Sequence, residues 1–560
     1  MAAEALNPIP NISSIHKVLG NVEILRKVLG YLSHHEMAKW KTTLANLAIV
    51  NRTFFRAAAD ELWEQVESVE PFLAILKPTK KDKTTVFTTG VTSEEWTRFN
   101  LYASRSKSLT LNKSSIADLD PAWVLYLATS KNRPDVMFPA LRSLNVWSAD
   151  QVSVFVALNS ITPLLSSFRL FLNEPSKGDP EGIKDTVNAL TSRLSVCAGN
   201  LSELNLTCPL DNAALSNIRR ISSLRSLNVK TGTVDTFTLL MALIHLDLEV
   251  LSVWIDKGDG PSPSPTRIAD SRSFAPPVRM QTNPNLRNFW IAADGAILYH
   301  SSLILAPCEL KNLTINLLEL QECNGYHQSL MPLTLSIHMA RNPGLRSLKT
   351  QMLRDPATFT ASIPSTRTDL DDLWVHGTQE FLTHLAAQRN LTQLTIGIAF
   401  ASPDIYSQLL DAVQDMPELR VLELIPEEMS GVGVPKMKVP GWEFLELLSK
   451  RLQQLQELTI RLDTNTSTIP TNLTTKNEVL RRLYIYPDFS KLSQPPAFFP
   501  WVDDWIKAAR YLDRLFPNLE SMTKSTPPGL EPTMDPWYPV EKFVFSLQEV
   551  RTQLVRELGA

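Results

Sequence analysis

Side chains that could catalyse a reaction or hold a metal ion are present in this sequence, but their spacing supports neither role. The nine histidines are scattered along the chain. The run His34-His35-Glu36 is better interpreted as a solvated turn at a helix end than as a metal site. No pair of cysteines has the spacing of zinc ligands, and small apolar packing positions in a reducing compartment explain them better. The cysteines are Cys197, Cys208, Cys308 and Cys323.

The sequence also lacks the motifs that build the common active sites. It contains no Gly-x-Ser-x-Gly elbow, no His-Glu-x-x-His, no Walker loop and no Gly-x-Gly-x-x-Gly. Asp369, Asp371 and Asp372 form an acidic cluster without a matching ligand set, and we expect them at the exposed entry to a strand. We therefore predict a protein that is not an enzyme and that uses no metal and no cofactor.

Charge and hydropathy exclude two further classes of partner. The formal net charge is -3 and is spread along the chain, whereas a nucleic-acid-binding protein usually carries a basic stripe. The basic run from Lys77 to Lys83 is better explained as a solvated loop than as a phosphate-binding patch. No signal peptide and no apolar stretch of membrane-spanning length is visible. We expect no nucleic-acid partner, no membrane partner, and a location in the cytoplasm or the nucleus.

The elements that position the remaining side chains are predicted by an internal repeat. At 560 residues the chain exceeds what one compact core can hold. It contains about thirteen copies of the pattern Leu-x-x-Leu-x-Leu, mostly spaced within the leucine-rich-repeat period of about 20–29 residues. A weaker copy runs from Leu165 to Leu170, and the others begin at Leu141, Leu201, Leu224, Leu248, Leu286, Leu310, Leu345, Leu370, Leu391, Leu419, Leu455 and Leu480.

The spacing within each repeat indicates a strand followed by a helix. Alternating residues of a strand point to opposite sides, so Leu204 and Leu206 face inward together. Between strands the apolar residues recur at helical spacing, as at Val187, Leu190 and Leu194. One repeat cannot bury its apolar side alone, so neighbouring repeats must stack into a continuous core. We predict an α/β leucine-rich-repeat solenoid with parallel strands on its concave face and helices on its convex face.

The strand residues between the inward-facing leucines should form the concave surface. Such a face is normally polar, and interface hot spots favour tryptophan, tyrosine and arginine, so aromatic residues there indicate a protein-binding site. Alternatively, loops fold back over some of these side chains. The predicted target-binding residues are Trp147, Trp254, Trp290, Trp374, His376, Arg461, Tyr484 and Tyr486.

The N-terminal residues follow a purely helical pattern. Apolar residues at helical spacing predict three helices, from Val22 to Leu32, from Trp40 to Asn51 and from Phe54 to Trp63. A segment of roughly fifty residues cannot easily enclose so many large apolar side chains. Apolar surface left on a small helical unit usually marks the site of a partner.

The runs EILRKVLGYL (23–32) and LANLAIVNRTF (44–54), followed by Leu62-Trp63, resemble the F-box of ubiquitin-ligase substrate receptors. Together with the repeats, they are similar to the F-box/leucine-rich-repeat proteins abundant in mushroom-forming fungi. The resemblance implies a Skp-type adaptor as partner and, through it, a cullin–RING ligase. Asn21-Val22, or Gly20-Asn21, stands where the family has Leu-Pro, and Asn51 where it has cysteine. The implied adaptor contacts are Ile24, Leu25, Val28, Leu29, Val50, Phe54 and Trp63.

These patterns divide the chain into four segments. The Gly- and Pro-rich composition predicts loop insertions near 256–284 and 425–440, and an amphipathic helix from Trp501 predicts a capping repeat near the end of the array. The predicted segments are an F-box-like three-helix segment (12–69), a connecting region with a first irregular repeat (70–140), the solenoid (141–525) and a C-terminal capping segment (526–560).

Two functions are compatible with this organisation. The leading hypothesis is the substrate-recognition subunit of an SCF-type (Skp–cullin–F-box) ubiquitin ligase, with the F-box helices on the adaptor and the concave face on a target protein. The alternative is a leucine-rich-repeat scaffold that binds a protein without any ligase role. In that case the N-terminal helices only cap the first repeat.

Overall fold

A computed structural model describes most of the chain. The described residues are 21–33, 37–77, 79–81, 84–86, 91–112, 127–172, 180–232, 239, 242–243, 246–255, 284–304, 309–319, 326–354, 368–398, 400, 402, 404–425, 438–487, 502–522 and 537–558. The predicted turn at His34-His35-Glu36, both Cys308 and Cys323, and most of the two predicted loop insertions lie outside these ranges. The chain divides into two compact units, Met1–Val234 and Asp235–Ala560.

The first unit begins with the three predicted helices, α1 (Val22–Ser33), α2 (Met37–Ala48) and α3 (Arg52–Glu64). Their apolar stripes meet in a small core of buried side chains, because each helix alone would leave its stripe in water. This core consists of Leu25, Leu29, Leu44, Ala57 and Ala58.

Parallel strands follow the bundle in the first unit, and most are separated by helices. The strands are β1 (Gln65–Val66), β4 (Ser108–Leu111), β5 (Ser143–Val146), β6 (Ser167–Phe171), β7 (Glu203–Thr207) and β8 (Ser226–Thr231), and each pairs in parallel with the next. The helices are α4 (Glu70–Ile75), α5 (Ser93–Ala103), α6 (Gln151–Ser160), α7 (Pro180–Cys197) and α8 (Asn212–Ile218). A short antiparallel hairpin, β2 (Thr79–Lys81) and β3 (Thr84–Val86), occupies the predicted basic loop.

The buried leucines of the first unit form continuous rows across its strands. In register, Leu109 of β4 stands beside Leu144, which stands beside Phe168, and the row continues through Leu204 to Leu227. All five side chains are buried. The strand period of two thus places one apolar row on the helix-covered face, as the repeat predicts.

The second unit repeats this arrangement. Its parallel strands are β9 (Val250–Ile255), β10 (Asn288–Ala293), β11 (Asn312–Glu319), β12 (Ser347–Arg354), β13 (Gln393–Gly397), β14 (Val421–Leu424), β15 (Glu457–Leu462) and β16 (Arg482–Pro487). Its helices are α9 (Gly295–Ile304), α10 (Tyr326–Arg341), α11 (Thr368–Ala386), α12 (Ile405–Val413), α13 (Glu443–Arg451), α14 (Val502–Leu515) and α15 (Tyr538–Leu558). Parallel strands joined through helices in each unit are the leucine-rich-repeat solenoid architecture predicted from the sequence.

The last two helices close the end of the second unit. The hydroxyl of Tyr511 on α14 donates a 2.7 Å hydrogen bond to the carbonyl of Trp442. Trp442 is buried against the rings of Tyr511 and Trp537, with ring centroids 5.7 and 6.3 Å away. Just beyond α14, Ser521 forms a parallel bridge with Arg482 of β16. The residues of α14 and those just after it thus contact Trp442 and the last strand, at the place where the sequence predicts a capping repeat.

One predicted strand is wrong. The copy Leu370-Asp-Asp-Leu373-Trp-Val375, including the acidic cluster at 369–372, lies in the helix α11 rather than in a strand. The pattern Leu-x-x-Leu fits a helix as well as a strand entry, and here it continues at helical spacing through the buried residues Trp374, Phe381 and Leu385. This face packs against α10, and the helix serves as the crossover between β12 and β13.

Glycine at position 377 allows α11 to approach α10 closely. A Cβ atom there would lie 3.0 Å from the backbone nitrogen of Leu333, next to Pro332 in α10. At Gly30 in α1, by contrast, an added Cβ meets nothing within 4 Å. The two glycines therefore form a matched pair for substitution within helices.

We expect Gly377→Ala to lower the free energy of unfolding by about 1–3 kcal/mol, because the rigid backbone of Leu333 cannot move aside. Gly30→Ala should instead raise it by about 0.5–1 kcal/mol, since alanine favours a helix. Urea denaturation of both variants shows whether each substitution raises or lowers the free energy of unfolding. Stabilisation by both substitutions would contradict the close helix contact.

Candidate protein-binding surfaces

Large apolar side chains are exposed on one face of α1 and at the end of α2. On α1, Ile24, Val28 and Tyr31 recur at i, i+4 and i+7, and Ile49 and Val50 follow the end of α2. Their side chains are between 38% and 84% exposed. Large apolar side chains grouped on one helix face are normally buried in a core or by a partner. We call these five residues the bundle stripe.

The predicted adaptor contacts fall into two groups in the structure. Ile24, Val28 and Val50 belong to the exposed bundle stripe. Leu25 and Leu29 are instead buried in the bundle core, where a partner cannot contact them without opening the helices.

Phe54 and Trp63 are half-buried and pack inward. Phe54 lies against the bundle core. The ring of Trp63 lies 4.8 Å, centroid to centroid, from both Phe72 and Tyr102. These two residues therefore join elements of the first unit, which is a role that the F-box resemblance did not imply.

Asn51 starts α3 as its N-cap. Its side-chain oxygen accepts hydrogen bonds from the backbone N–H groups of Thr53, at 2.9 Å, and Phe54, at 3.0 Å. Such caps satisfy donors at the helix start that have no partner within the helix, and asparagine is among the best residues for this role. Asparagine at this position, where the F-box pattern has cysteine, thus has a local structural reason.

The bundle is continuous with the sheet of the first unit. Helix α3 ends at Glu64 and β1 begins at the next residue, pairing with β4. Asp60 forms ion pairs with Arg26 of α1 and with Arg105, the latter at 2.9 Å. Lys107 lies 2.9 Å from the carboxylate of Glu64. The stripe on α1 is therefore carried by a body that also carries the first strands.

The side chains on the other face of the first unit's strands form three rows, which we call the open face. The first row is rich in serine, the second contains amides and an arginine, and the third follows the carboxyl ends of the strands. In strand order from β4 to β8, the rows are Ser108, Ser143, Ser167, Glu203 and Ser226; then Thr110, Asn145, Arg169, Asn205 and Asn228; then Asn112, Trp147, Phe171, Thr207 and Lys230.

The aromatic pair in the third row is the most prominent apolar feature of this face. Trp147 and Phe171 are stacked, with ring centroids 4.1 Å apart and an angle of 15° between the planes. Trp147 is nevertheless 49% exposed. Beside the pair, Arg169 lies 2.8 Å from Glu203, so these two charges are paired. Phe171 was not predicted as a site residue, although it follows Leu170 as Trp147 follows Val146.

In the second unit the predicted aromatic residues are less accessible. Trp254 and Trp290 stack with ring centroids 5.6 Å apart, and both are half-buried. Tyr484 and Tyr486 of β16 stand beside Thr459 and Arg461 of β15, and Arg461 and both tyrosines are half-buried. These residues do lie on the face opposite the leucine rows, as their strand positions predict.

Two predicted target-binding residues are not on that face. Trp374 and His376 lie in the helix α11, and Trp374 is 5% exposed. His376 is exposed and pairs with Glu380 one turn further on, 3.1 Å away. Both residues were assigned to a strand that does not form, and they are therefore removed from the predicted target site.

Chemical sites are not evident in the described residues. Within the ranges given above, no group of three or more histidine, cysteine or acidic side chains is arranged to hold a metal ion. Cys208 is buried and burial raises the pKa of its thiol to about 12, so it packs as an apolar residue. No helix in the described part of the chain is long and apolar enough to cross a bilayer.

Comparisons with known proteins find only distant similarity. No protein-family model matches the chain, and no curated protein matches it. Similar solved structures include a complex of TLR13 with ssRNA13, at 13% identity and a TM-score of 0.27, covering 68% of this chain and 46% of that one. The match thus spans about half of that protein.

Two further structures are similar over more of their own length. The complex of Rad7 and Elc1 from yeast matches at 13% identity and a TM-score of 0.31, over 86% of this chain and 99% of that one. A leucine-rich-repeat protein of Leptospira interrogans matches at 13% identity and a TM-score of 0.26, over 69% and 91%. Such low scores carry no argument about fold or function. The assignment as a leucine-rich-repeat fold follows from the strand ladder of each unit.

Proposed function

We propose that the chain is the substrate-recognition subunit of an SCF-type ubiquitin ligase. In this role the bundle stripe binds a Skp-type adaptor, which connects the chain to a cullin–RING ligase, and the open face holds a target protein. The chain itself is a binding protein without catalytic residues, and it acts in the cytoplasm or the nucleus. The observation that carries the proposal is the exposed apolar stripe on a helical bundle that precedes a leucine-rich-repeat sheet.

Burial separates the residues that can bind an adaptor from those that hold the bundle together. Ile24, Val28 and Tyr31 share one exposed face of α1, whereas Leu25 and Leu29 occupy the core. Burial of three to five such side chains in an interface is favourable by about 25 cal/mol per Å² of apolar surface. A specific test of the adaptor contact must therefore change the exposed residues only.

Capture of a purified Skp-type adaptor by the tagged full-length protein tests the proposal. We expect Ile24→Glu/Val28→Glu to reduce capture at least tenfold, because two charges would be placed in an apolar interface. Val196→Glu is the matched control, since Val196 is 79% exposed on α7 of the same unit, and capture should be unchanged. Circular dichroism establishes that all variants remain folded.

The alternative function is a scaffold that binds a protein through the sheet without a ligase. The half-buried position of Trp63 favours it, because this residue connects the bundle to Phe72 and Tyr102 as a cap would. If the wild-type protein captures no adaptor, or if the double variant captures as much as the wild type, the receptor proposal is wrong. The scaffold function would then stand.

A further inference from the structure

The second row of the first unit's open face contains several side-chain amides, which carry the same hydrogen-bonding groups as a peptide backbone. Asn145, Arg169, Asn205 and Asn228 occupy equivalent positions on four neighbouring strands. An asparagine amide offers two N–H donors and an acceptor oxygen, which are the groups that pair with the main chain of a peptide. Asn145 is oriented by donating a 3.2 Å hydrogen bond to the hydroxyl of Thr110. This row can therefore form hydrogen bonds with the main chain of an unfolded segment that crosses the strands.

The strand spacing selects the conformation of that segment. Neighbouring strands lie about 4.8 Å apart, so Asn145 and Asn205, two strands apart, are separated by about 9.6 Å. A polyproline II helix repeats every three residues, or about 9.3 Å, and presents the same edge to every second strand. A β-extended segment repeats about every 6.8 Å and goes out of phase with this spacing. Polyproline II also lacks internal hydrogen bonds, so its carbonyls are free to accept them.

The stacked aromatic pair lies beside this row. Phe171 supports one face of Trp147, and the indole remains 49% exposed. Aromatic side chains on a rigid surface are what domains that recognise polyproline II use to contact proline rings. The ion pair between Arg169 and Glu203 compensates the charge at the centre of the face, which favours an uncharged segment.

We propose that the open face of the first unit binds a proline-rich segment in the polyproline II conformation. The segment lies across the strands, with a proline ring against Trp147 and carbonyls on Asn145 and Asn205, which are two strands apart. This inference rests on the proposed function, because that function assigns the open face to the target protein. It adds the chemical class of the target segment.

The test is direct binding to the full-length protein without any ligase component. Fluorescence polarisation with fluorescein-labelled decaproline should show saturable binding, and a labelled Gly-Ser peptide of ten residues should not bind over the same concentrations. Trp147→Ala should weaken decaproline binding at least tenfold, and Asn205→Ala about fivefold, as for one lost hydrogen bond. Val196→Ala, exposed on α7, should bind as the wild type does.

Several outcomes overturn the inference. These are no binding of decaproline, equal binding of both peptides, or wild-type affinity in Trp147→Ala. Trp147 is half exposed, so its substitution leaves the fold intact, and circular dichroism verifies this. If decaproline fails to bind while adaptor capture persists, only the inference about the target is lost. If decaproline binds and adaptor capture fails, the receptor proposal is lost and the peptide-binding face remains.

Discussion

Replacing Phe72 with alanine lowers the free energy of unfolding of the first unit by about 3–5 kcal/mol, the range for large aromatic residues removed from a core. Phe72 is fully buried, and its ring centroid lies 4.8 Å from that of Trp63, 4.9 Å from Phe138 and 5.5 Å from Phe99. Phe72 thus packs against α3 of the bundle, and also against Phe99 of α5 and Phe138, which lies between β4 and β5 in the chain. The cavity left by its removal would open between these parts.

Hydrogen exchange measured by mass spectrometry at increasing urea concentrations gives this loss locally. Peptides from α3 to α5 should lose protection at a lower urea concentration than in the wild type, because they share the aromatic cluster. Leu101→Ala is the control, since Leu101 lies on α5 with its side chain 43% exposed, and its effect should stay below about 1 kcal/mol. If Phe72→Ala lowers the free energy of unfolding by less than about 1 kcal/mol, Phe72 does not hold α3 and α5 together as predicted.

The buried histidine His338 should make the second unit sensitive to acid. His338 on α10 is fully buried, and burial, with a smaller contribution from the nearby Arg341, lowers the pKa of its imidazole to about 3. Its Nε2 atom has no hydrogen-bond partner among the described residues. The ring of Phe289 lies 6.1 Å away, centroid to centroid. The imidazole is therefore neutral in the folded protein at all but strongly acidic pH.

The sign of the pH dependence follows from where the proton binds. In the unfolded chain His338 titrates near 6.5, so below that pH the unfolded state binds a proton that the folded state does not. The stability is complete above pH 6.5 and falls by about 1.4 kcal/mol per pH unit between 6.5 and 3. Acid therefore destabilises the fold through this residue by an amount on the order of 3 kcal/mol at pH 4.

We expect His338→Phe to remove this component while keeping a planar ring in the site. The difference in unfolding free energy between the variant and the wild type, measured by urea denaturation at several pH values, should grow in favour of the variant as the pH falls from 7 to 4. Val375→Ala is the control, because Val375 is 44% exposed on α11 and carries no titratable group, so the slope should stay unchanged. Parallel pH profiles for the wild type and His338→Phe would contradict the prediction.

Local apolar patterns predicted most of the repeat array. They failed where the same apolar residues fit both the spacing of a strand and the spacing of a helix. Leu204 and Leu206 alternate over a short strand with turns on both sides, so only the strand period fits them. The copy at Leu370 and Leu373 continues instead through Trp374 to Phe381, and helical packing against α10 determined the outcome. The strand β4 was missed because it lacks the leading leucine of the repeat, although Leu109 and Leu111 alternate in the same way.

The sequence of this protein determined its secondary-structure periods, its parallel repeat architecture and the helical nature of its first segment, because these depend on residues close together in the chain. Only the tertiary structure decided which apolar side chains remain free for a partner. Ile24 and Leu25 are adjacent and chemically alike, but the packing of α1 against α3 buries Leu25 and leaves Ile24 exposed. Likewise, Trp147 stays open while Trp374 is buried, since burial is set by neighbours distant in sequence.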